Sequence, residues 1–190
     1  MGDIRLRSSR QRVLSAAAGI LRRDGYTGLT MERAAAESGV AKTTLYRHWS
    51  TKAALCMDLY LEEAGREVAD PDTGHVAADL KAIVASVVRL QTRTIAGAAF
   101  LGLIAEAQIN PESRAAFLAE FAERRRAVTR KVLERAIGRG ELRRGIDVDL
   151  VIDALGGATT FRLLQGHAPL DAKFADALVA LLLTGAAAKR

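Results

Sequence analysis

Residues 30–49 of the chain read TMERAAAESGVAKTTLYRHW, a pattern typical of two short helices joined by a tight turn. Ala35 is small enough for a second helix to cross close to it, and Gly39 lies where the first helix must end and the chain must turn. Leu45, six residues beyond Gly39, returns an apolar side chain to the same core. This spacing is that of a helix-turn-helix, whose second helix lies in the major groove of DNA.

The positive charge of the chain is concentrated in its first quarter. Residues 1–52 carry ten Lys and Arg against four Asp and Glu, whereas residues 53–190 carry 18 of each kind, so the net charge of +6 lies in the amino-terminal part. Nucleic-acid binding depends largely on phosphate contacts and counterion release, so a basic end beside a neutral body indicates a DNA-binding end. A solvated Arg-rich surface is the alternative, and the coincidence of the charge with the helix-turn-helix weighs against it.

The composition is typical of an all-helical globular protein, with 49% hydrophobic but only 5% aromatic residues among 190. The chain has no run of about 18 apolar residues that predicts a membrane span, and no apolar secretory segment follows its basic start. The single cysteine, Cys56, excludes an intrachain disulfide and fits a reducing compartment, so we expect a cytoplasmic protein. We interpret Cys56 as a small core residue, with a redox-sensing thiol as the alternative.

The helical spacing of apolar residues predicts an all-α fold of nine helices. Three form a helix-turn-helix DNA-binding domain over residues 1–52, and six form an effector-binding and dimerisation domain over residues 53–190, with the fourth helix as connector. Capping residues set the predicted helix ends. The predicted starts are Ser8 or Ser9, Thr30, Ala41, Ser50 or Thr51, Asn110 with Pro111, Asp147 and Asp171, and the predicted stops are Gly25, Gly39, Trp49, Gly138 or Gly140, and Gly166.

The last two predicted helices carry more apolar surface than one side of a helix can bury. Between residues 148 and 164, one face has Leu150, Ala154, Phe161 and Leu164, and another has Val151, Leu155 and Ala158. A helix that is apolar on two faces must be covered on two sides, so we predict a homodimer formed by the last two helices of each chain. A helix buried at the centre of a monomer is the alternative. The predicted interface residues are Val151, Leu155, Ala158, Phe174, Leu178, Leu181 and Leu182.

Residues 8–60 resemble the DNA-binding domain of the TetR family of bacterial transcriptional regulators. The matching elements are RQRVL at 10–14, DGY at 24–26, LTM at 29–31, SGV at 38–40, TTLYRHW at 43–49 and STKAAL at 50–55. The remaining six helices are similar to the ligand-binding and dimerisation domain of the family in number and length only. Two positions depart from the family pattern: Ala41 stands where a Ser or Thr cap commonly opens the recognition helix, and Ala34 stands where a larger aliphatic residue is usual.

The resemblance implies a transcriptional regulator, most simply a repressor, that binds a palindromic operator in double-stranded DNA as a homodimer. It also implies release by a small-molecule effector that enters the C-terminal domain, swings the fourth helix and changes the spacing of the two DNA-binding heads.

The candidates for DNA contact lie in the second and third helices, at the start of the fourth helix, and in the amino-terminal arm, from which Arg7 and Arg10 would reach the DNA. Lys42 and Thr43 begin the recognition helix and face phosphate or base edges, and Thr44 is a candidate for contact with bases, including thymine methyl groups. Arg47 would pair with guanine or with phosphate, whereas Trp49 is expected in the core. The full predicted set is Arg7, Arg10, Thr30, Lys42, Thr43, Thr44, Tyr46, Arg47, His48 and Lys52.

An effector cavity would need aromatic and polar side chains of the C-terminal domain. The candidates are Phe100, Gln108, Phe117, Phe121, Phe161, Arg162 and Gln165. A place in the core or on the surface is the alternative interpretation of each.

No motif indicates an enzyme, a cofactor or a metal. The chain lacks the Gly-x-Gly-x-x-Gly, phosphate-loop and Gly-x-Ser-x-Gly patterns, and its three histidines lack the spacing of zinc ligands. We therefore expect that the protein is not an enzyme and uses neither a cofactor nor a metal. A DNA-binding activator or architectural protein is the closer alternative: a filled C-terminal domain would favour it, and a hollow one would favour effector-gated repression.

Overall fold

The computed structural model describes residues 2–68 and 70–185, and within these ranges the side chains of all residues except 2–8, 120–122, 124 and 125. The described chain contains ten α-helices and no strand, which confirms the predicted all-α class. The helices are α1 (Gly2–Gly28), α2 (Met31–Ser38), α3 (Lys42–His48), α4 (Lys52–Glu67), α5 (Val76–Arg93), α6 (Ala96–Ile109), α7 (Pro111–Ala116), α8 (Glu123–Arg139), α9 (Val148–Gln165) and α10 (Ala172–Thr184).

The predicted capping residues lie at the observed helix ends. Thr30 begins α2, where its Oγ1 accepts a hydrogen bond from Arg33 N at 3.1 Å, and Gly39 ends α2 in the left-handed conformation. Thr51 Oγ1 likewise accepts from Ala54 N at the start of α4. The starts of α7, α9 and α10 are capped by Asn110, Asp147 and Asp171, and Gly166 ends α9.

The first helix is longer than predicted. It begins at Gly2 rather than at Ser8 or Ser9, because no Gly or Pro interrupts residues 3–8. Its regular part ends at Gly25 as predicted, where φ is 68° and ψ is −173°, and a short helical turn then continues to Gly28.

A π-helical segment divides the long helix that was predicted to begin at Asn110. This segment, Phe117–Ala122, lies between α7 and α8 and raises the number of described helices from the predicted nine to ten. A π-helical turn contains about one residue more than an α-helical turn. The side chains of α8 are therefore rotated about the helix axis relative to where an uninterrupted α-helix from α7 would place them.

By their internal contacts, the described residues form two compact units. The N-terminal unit lies within residues 1–66 and 93–121 and comprises α1 to α4 with α6 and α7. The C-terminal unit lies within residues 67–92 and 122–190 and comprises α5, α8, α9 and α10. The largest fully buried side chains of the N-terminal unit are Leu14, Ile20, Leu29, Leu45 and Leu55.

Tyr26 joins the end of α1 to α6 within the N-terminal unit. Its ring packs against Gly102, where any Cβ would overlap the ring, and its hydroxyl donates a hydrogen bond to Glu106. Glu106 also accepts a hydrogen bond from Ser113 Oγ of α7 at 3.2 Å. Burial, together with the hydrogen bond to Glu106, raises the pKa of Tyr26 above its ordinary value. These contacts hold α6 and α7 to the helices that carry the helix-turn-helix.

The C-terminal unit has an apolar core contributed by all four of its helices. Its buried members are Val76, Leu80, Ile83, Val84, Val88, Val132, Leu133, Ala136, Ile152, Leu155, Phe174, Ala175, Leu178 and Val179. In the part of the chain that the structure describes, no single helix is long and apolar enough to cross a membrane, and only α5 and α6 taken as a pair reach that length and composition.

Candidate DNA-binding interface

The turn between α2 and α3 is held by Gly39 and by Arg12 of α1. Gly39 has a φ of 63°, and its N–H donates a hydrogen bond to Ala36 O at 3.3 Å. Arg12 donates to Ser38 O from Nε at 3.1 Å and from Nη2 at 2.7 Å, and Nη2 also donates to Gly39 O at 2.8 Å. A guanidinium group at the carboxyl end of a helix pairs with carbonyls that have no partner inside the helix and meets the negative end of its dipole.

Leu45 anchors α3 to the core of the N-terminal unit. Its side chain is fully buried, and of the seven residues of α3 it is the buried one. Trp49, which follows α3, is buried as predicted, and its Nε1 donates a hydrogen bond to Asp58 Oδ2 of α4 at 3.0 Å. The other side chains of α3 therefore face away from the core.

These outward side chains include most of the predicted DNA contacts. Lys42, Thr43, Arg47 and His48 are exposed, and Thr44 is half-buried. Neither Lys42 nor Arg47 forms an ion pair with a side chain that the structure describes. No side chain caps the start of α3, because its N-cap is Ala41, as the departure from the family pattern predicted. This surface of α3 can therefore offer two cations, a histidine and two hydroxyls to a nucleic acid.

Tyr46 lies on the same helix but already has a partner. Its side chain is 43% exposed, and its hydroxyl donates a hydrogen bond to Glu32 Oε1 of α2 at 3.1 Å. This bond raises the pKa of Tyr46, and the pKa of Glu32 is lowered first by its own backbone N–H and then by Tyr46. A contact between the Tyr46 hydroxyl and phosphate would require it to leave Glu32.

Two further candidates lie at the starts of neighbouring helices. Thr30 is exposed at the start of α2, with its hydroxyl oxygen engaged in capping. Lys52 is half-buried at the start of α4, where its Nζ lies 3.9 Å from the centre of the Tyr26 ring and 3.4 Å from Tyr26 O. A phosphate contact by Lys52 would compete with these two contacts to Tyr26.

Arg10 is engaged within the protein. Its Nη2 lies 2.6 Å from Asp58 Oδ1 and its Nη1 lies 3.3 Å from Glu62 Oε2, so it ties α1 to α4. The hydrogen bond to Asp58 raises the pKa of Arg10. From the sequence, Arg10 was a candidate for DNA contact, because nothing in its neighbourhood indicates a pairing with Asp58 and Glu62. These two carboxylates lie about fifty residues away along the chain. The side chain of Arg7 lies outside the described residues.

The C-terminal unit contains a cavity of about 410 Å³. Its inner wall is buried, whereas Arg126 and Asp153, with side chains 25% and 61% exposed, lie on the side that is open to solvent. The lining residues come from α5, α8 and α9 and from the segment after α4; they are Val68, Ile83, Val84, Val87, Arg126, Val128, Thr129, Ile152, Asp153, Leu155, Gly156, Gly157 and Thr159.

None of the predicted effector residues whose side chains are described lines this cavity. Phe100 and Phe117 belong to the N-terminal unit, where their ring centres lie 6.3 Å apart. Arg162 of α9 lies over the Phe174 ring, 4.3 Å from its centre. Gln108, Phe161 and Gln165 are exposed, and the side chain of Phe121 lies outside the described residues. The prediction gave weight to aromatic rings, whereas the observed wall is aliphatic.

One of the two apolar faces of α9 packs into the core of its own chain. Leu155 is 5% exposed, and Val151 and Ala158 pack against the same core. On α10, Phe174 and Leu178 are buried in that core as well, and Leu182 packs against it. Leu155, Phe174 and Leu178 were predicted at a dimer interface, but within one chain they are already covered.

The opposite face of α9 is the uncovered one. Leu150 is 64%, Phe161 is 59% and Leu164 is 48% exposed, and Leu181 of α10 is 52% exposed. Large apolar side chains clustered on a surface mark a site of protein association. Of the predicted interface residues, Leu181 is thus the one with an exposed side chain.

Comparisons with known proteins agree with this architecture. Residues 13–58 match the model of bacterial regulatory proteins of the tetR family, and residues 70–182 match that of the tetracyclin repressor-like C-terminal domain. The chain is 33% identical to the DNA-binding transcriptional repressor TetR of Mycobacteroides abscessus, over 88% of this chain and 87% of that protein. It is 32% identical to the uncharacterized HTH-type transcriptional regulator YdeS of Bacillus subtilis, over 80% of this chain and 76% of that protein.

Solved structures share the fold. The TetR family transcription regulator SCO0332 is 38% identical, with a TM-score of 0.80 and coverage of 95% of this chain and 99% of that one. The transcriptional regulator FadR of Bacillus subtilis, solved in complex with stearoyl-CoA, has a TM-score of 0.73 over 92% of this chain and 98% of that one, but at 20% identity it shows the fold alone.

Proposed function

The chain belongs to the TetR family of bacterial transcriptional regulators, and we propose that within this family it is a repressor that binds a palindromic operator as a homodimer and is released by a small molecule. The observation that carries the proposal is the outward surface of α3, which offers Lys42 and Arg47 without ion-pair partners among the described residues. Because its target is DNA, we infer that the protein acts in the cytoplasm.

The proposed DNA-binding domain is residues 1–52, and the proposed effector-binding and dimerisation domain is residues 53–190. Lys42, Thr43 and Arg47 would contact phosphate or base edges, and Thr44 would contact bases from its half-buried position. Thr30 and Lys52 would add phosphate contacts at the starts of α2 and α4. Tyr46 and His48 would contact the phosphate backbone.

The proposed dimer interface is the uncovered face of α9 and α10, formed by Leu150, Phe161, Leu164 and Leu181. An isologous interface on this face brings two copies of one apolar patch together. Two-fold symmetry of the protein is the physical reason for a two-fold symmetric operator.

The cavity supports effector-gated repression over an architectural or activating role. A volume of about 410 Å³ falls within the range of small-molecule sites, and its wall of aliphatic side chains with few polar groups is typical of them. Release follows if the ligand binds the state that does not bind DNA more tightly than the state that does. The structure of Bacillus subtilis FadR with stearoyl-CoA is a reason to include acyl compounds among the molecules tested.

Selection of bound fragments from random double-stranded DNA tests the proposal. We expect the purified protein to enrich one palindromic sequence, whose half-sites lie about one helical turn or a multiple of it apart. Enrichment of a sequence without two-fold symmetry would contradict the dimeric mode of binding, and the absence of any enriched sequence would contradict the function itself.

A further inference from the structure

We propose that the cavity of the C-terminal unit binds an uncharged aliphatic molecule that carries a hydrogen-bond donor, such as a primary alcohol or a primary amide. This rests on the proposed function in one respect, namely that a small molecule binds this unit. A cavity of about 410 Å³ holds roughly 14 non-hydrogen atoms, if each takes the ~30 Å³ that a water molecule takes in the liquid.

The wall of the cavity selects an aliphatic ligand. Among the described lining residues, seven are Val, Ile or Leu, two are Gly and none has an aromatic ring. Flat aromatic molecules and organic cations gain affinity from ring stacking and from cation–π contacts, and this wall offers neither. An alkyl chain needs only apolar surface that excludes water, which the buried side chains of Ile83, Val84, Val87, Ile152 and Leu155 supply.

The charged side chains that the structure describes at the open side of the cavity pair with one another. Arg126 forms a hydrogen-bonded ion pair with Asp153, and its Nη2 lies 2.5 Å from Asp149 Oδ1. Arg130 Nη2 also lies 2.5 Å from Asp149 Oδ1. Two guanidinium groups therefore face two carboxylates, and this cluster has no net charge.

This neutrality disfavours charged ligands of either sign. A carboxylate ligand would compete with Asp149 and Asp153 for Arg126, and a cationic ligand would compete with Arg126 for Asp153. In either case the ligand would lose its hydration in an aliphatic cavity, and no described side chain of the wall would offer it an unpaired opposite charge. An uncharged ligand leaves the cluster intact.

The hydroxyl group of Thr159 favours a ligand that carries a hydrogen-bond donor. Thr159 is 2% exposed, and its Oγ1 donates a hydrogen bond to Leu155 O at 2.7 Å. Since that bond uses its proton, the hydroxyl can offer a ligand only its lone pairs, which accept from an O–H or N–H group. Thr129, which is 7% exposed, is a second threonine among the lining residues.

Titration calorimetry with probes of matched chain length tests the proposal. The probes are decan-1-ol, decanoate, decyltrimethylammonium and methyl nonyl ether, added to the full-length protein near neutral pH. We expect decan-1-ol to bind at least about tenfold more tightly than either ion, and several-fold more tightly than the ether, which has no donor. Equal or tighter binding of decanoate or of the cation, or no binding of decan-1-ol, would overturn the proposal.

Substitution of one carboxylate tests the charge argument separately. Asp153→Ala leaves Arg126 with fewer partners, so we expect the affinity for decanoate relative to that for decan-1-ol to rise several-fold. Asp176→Ala is the matched control, because Asp176 is 63% exposed, pairs with Lys81 and lies outside the cavity. If Asp153→Ala leaves decanoate binding at the wild-type level, the pairing of Arg126 does not disfavour anionic ligands and this part of the proposal is overturned.

A cavity-filling variant tests the location. We expect Val84→Phe to abolish binding of decan-1-ol, with folding checked by its thermal unfolding midpoint; wild-type binding in a folded variant would overturn the location. If Val84→Phe fails to fold, Asp153→Ala still tests the location, because Asp153 lines the cavity and its side chain is exposed. Operator affinity measured on the same preparation separates the two claims: operator binding without alcohol binding overturns the ligand class alone, whereas no operator binding overturns the proposed function.

Discussion

Gly39 combines a backbone conformation that favours glycine with a close approach by a neighbouring side chain. At φ of 63° a residue with a Cβ is strained, and a Cβ at this position would lie 3.2 Å from Arg12 Nη2, which holds the turn. We expect Gly39→Ala to lower the free energy of unfolding by about 1–2 kcal/mol, as measured by urea denaturation.

Gly65 is the matched control for this substitution. It lies exposed in α4 with helical backbone angles, and a Cβ there would meet no atom within 4 Å. Gly65→Ala should therefore raise the free energy of unfolding by up to about 1 kcal/mol. If both substitutions change stability in the same direction, the backbone conformation of Gly39 does not determine the effect of its substitution.

Cys56 is fully buried in the N-terminal unit. Burial is the largest cause that raises the pKa of its thiol, to about 12, so the reactive thiolate is scarce at neutral pH. We expect the folded protein to react with a thiol reagent such as dithionitrobenzoate roughly a thousandfold more slowly than the protein in guanidinium chloride. Rapid reaction of the folded protein would favour the alternative interpretation of Cys56 as a redox-sensing thiol.

At the level of elements, the helix ends could be predicted because their signals are local. Thr30, Asn110, Asp147 and Asp171 each accept a hydrogen bond from a backbone N–H two or three residues ahead, so the residue type and its place next to an apolar run were sufficient. Gly39 ends α2 for an equally local reason.

Features that depend on distant residues could not be predicted. Arg12 binds Ser38 O, 26 residues away, and Arg10 binds Asp58, 48 residues away, so neither role leaves a mark in the neighbouring sequence. The cavity likewise forms from three helices whose order in the chain does not give their packing. For α9, the sequence showed two apolar faces but not which of them the core would cover.

The contact between α1 and α6 depends on the absence of a side chain at Gly102. Because a Cβ there would overlap the Tyr26 ring, Gly102→Ala must displace Tyr26 from Glu106 or separate the two helices. We expect a loss of about 2–3 kcal/mol in the free energy of unfolding. Gly138→Ala in α8, where a Cβ meets nothing within 4 Å, should cause no loss, and a wild-type stability of Gly102→Ala would contradict the observed contact.

For the whole molecule, the uncovered face of α9 and α10 predicts how two chains associate. A charge at the centre of an apolar interface is buried without a partner, so Phe161→Arg should weaken dimerisation by at least about 2 kcal/mol, or roughly thirtyfold. Sedimentation equilibrium measures this change. Ile109→Arg is the control, since Ile109 is 84% exposed in the N-terminal unit and should leave the dimer intact. A Phe161→Arg protein that dimerises like the wild type would place the interface elsewhere.

If α3 binds the phosphates and bases of an operator, the affinity for the operator must depend on the salt concentration. The measurement compares the wild type with Lys42→Ala and with Lys131→Ala, a control on α8 whose side chain is 62% exposed. For the wild type we predict a steep fall of affinity as the salt concentration rises. For Lys42→Ala we predict a weaker affinity and a slope of log affinity against log salt concentration that is shallower by about one. Lys131→Ala should behave like the wild type. An affinity that does not depend on salt, or a Lys42→Ala protein that binds like the wild type, would contradict operator binding by α3.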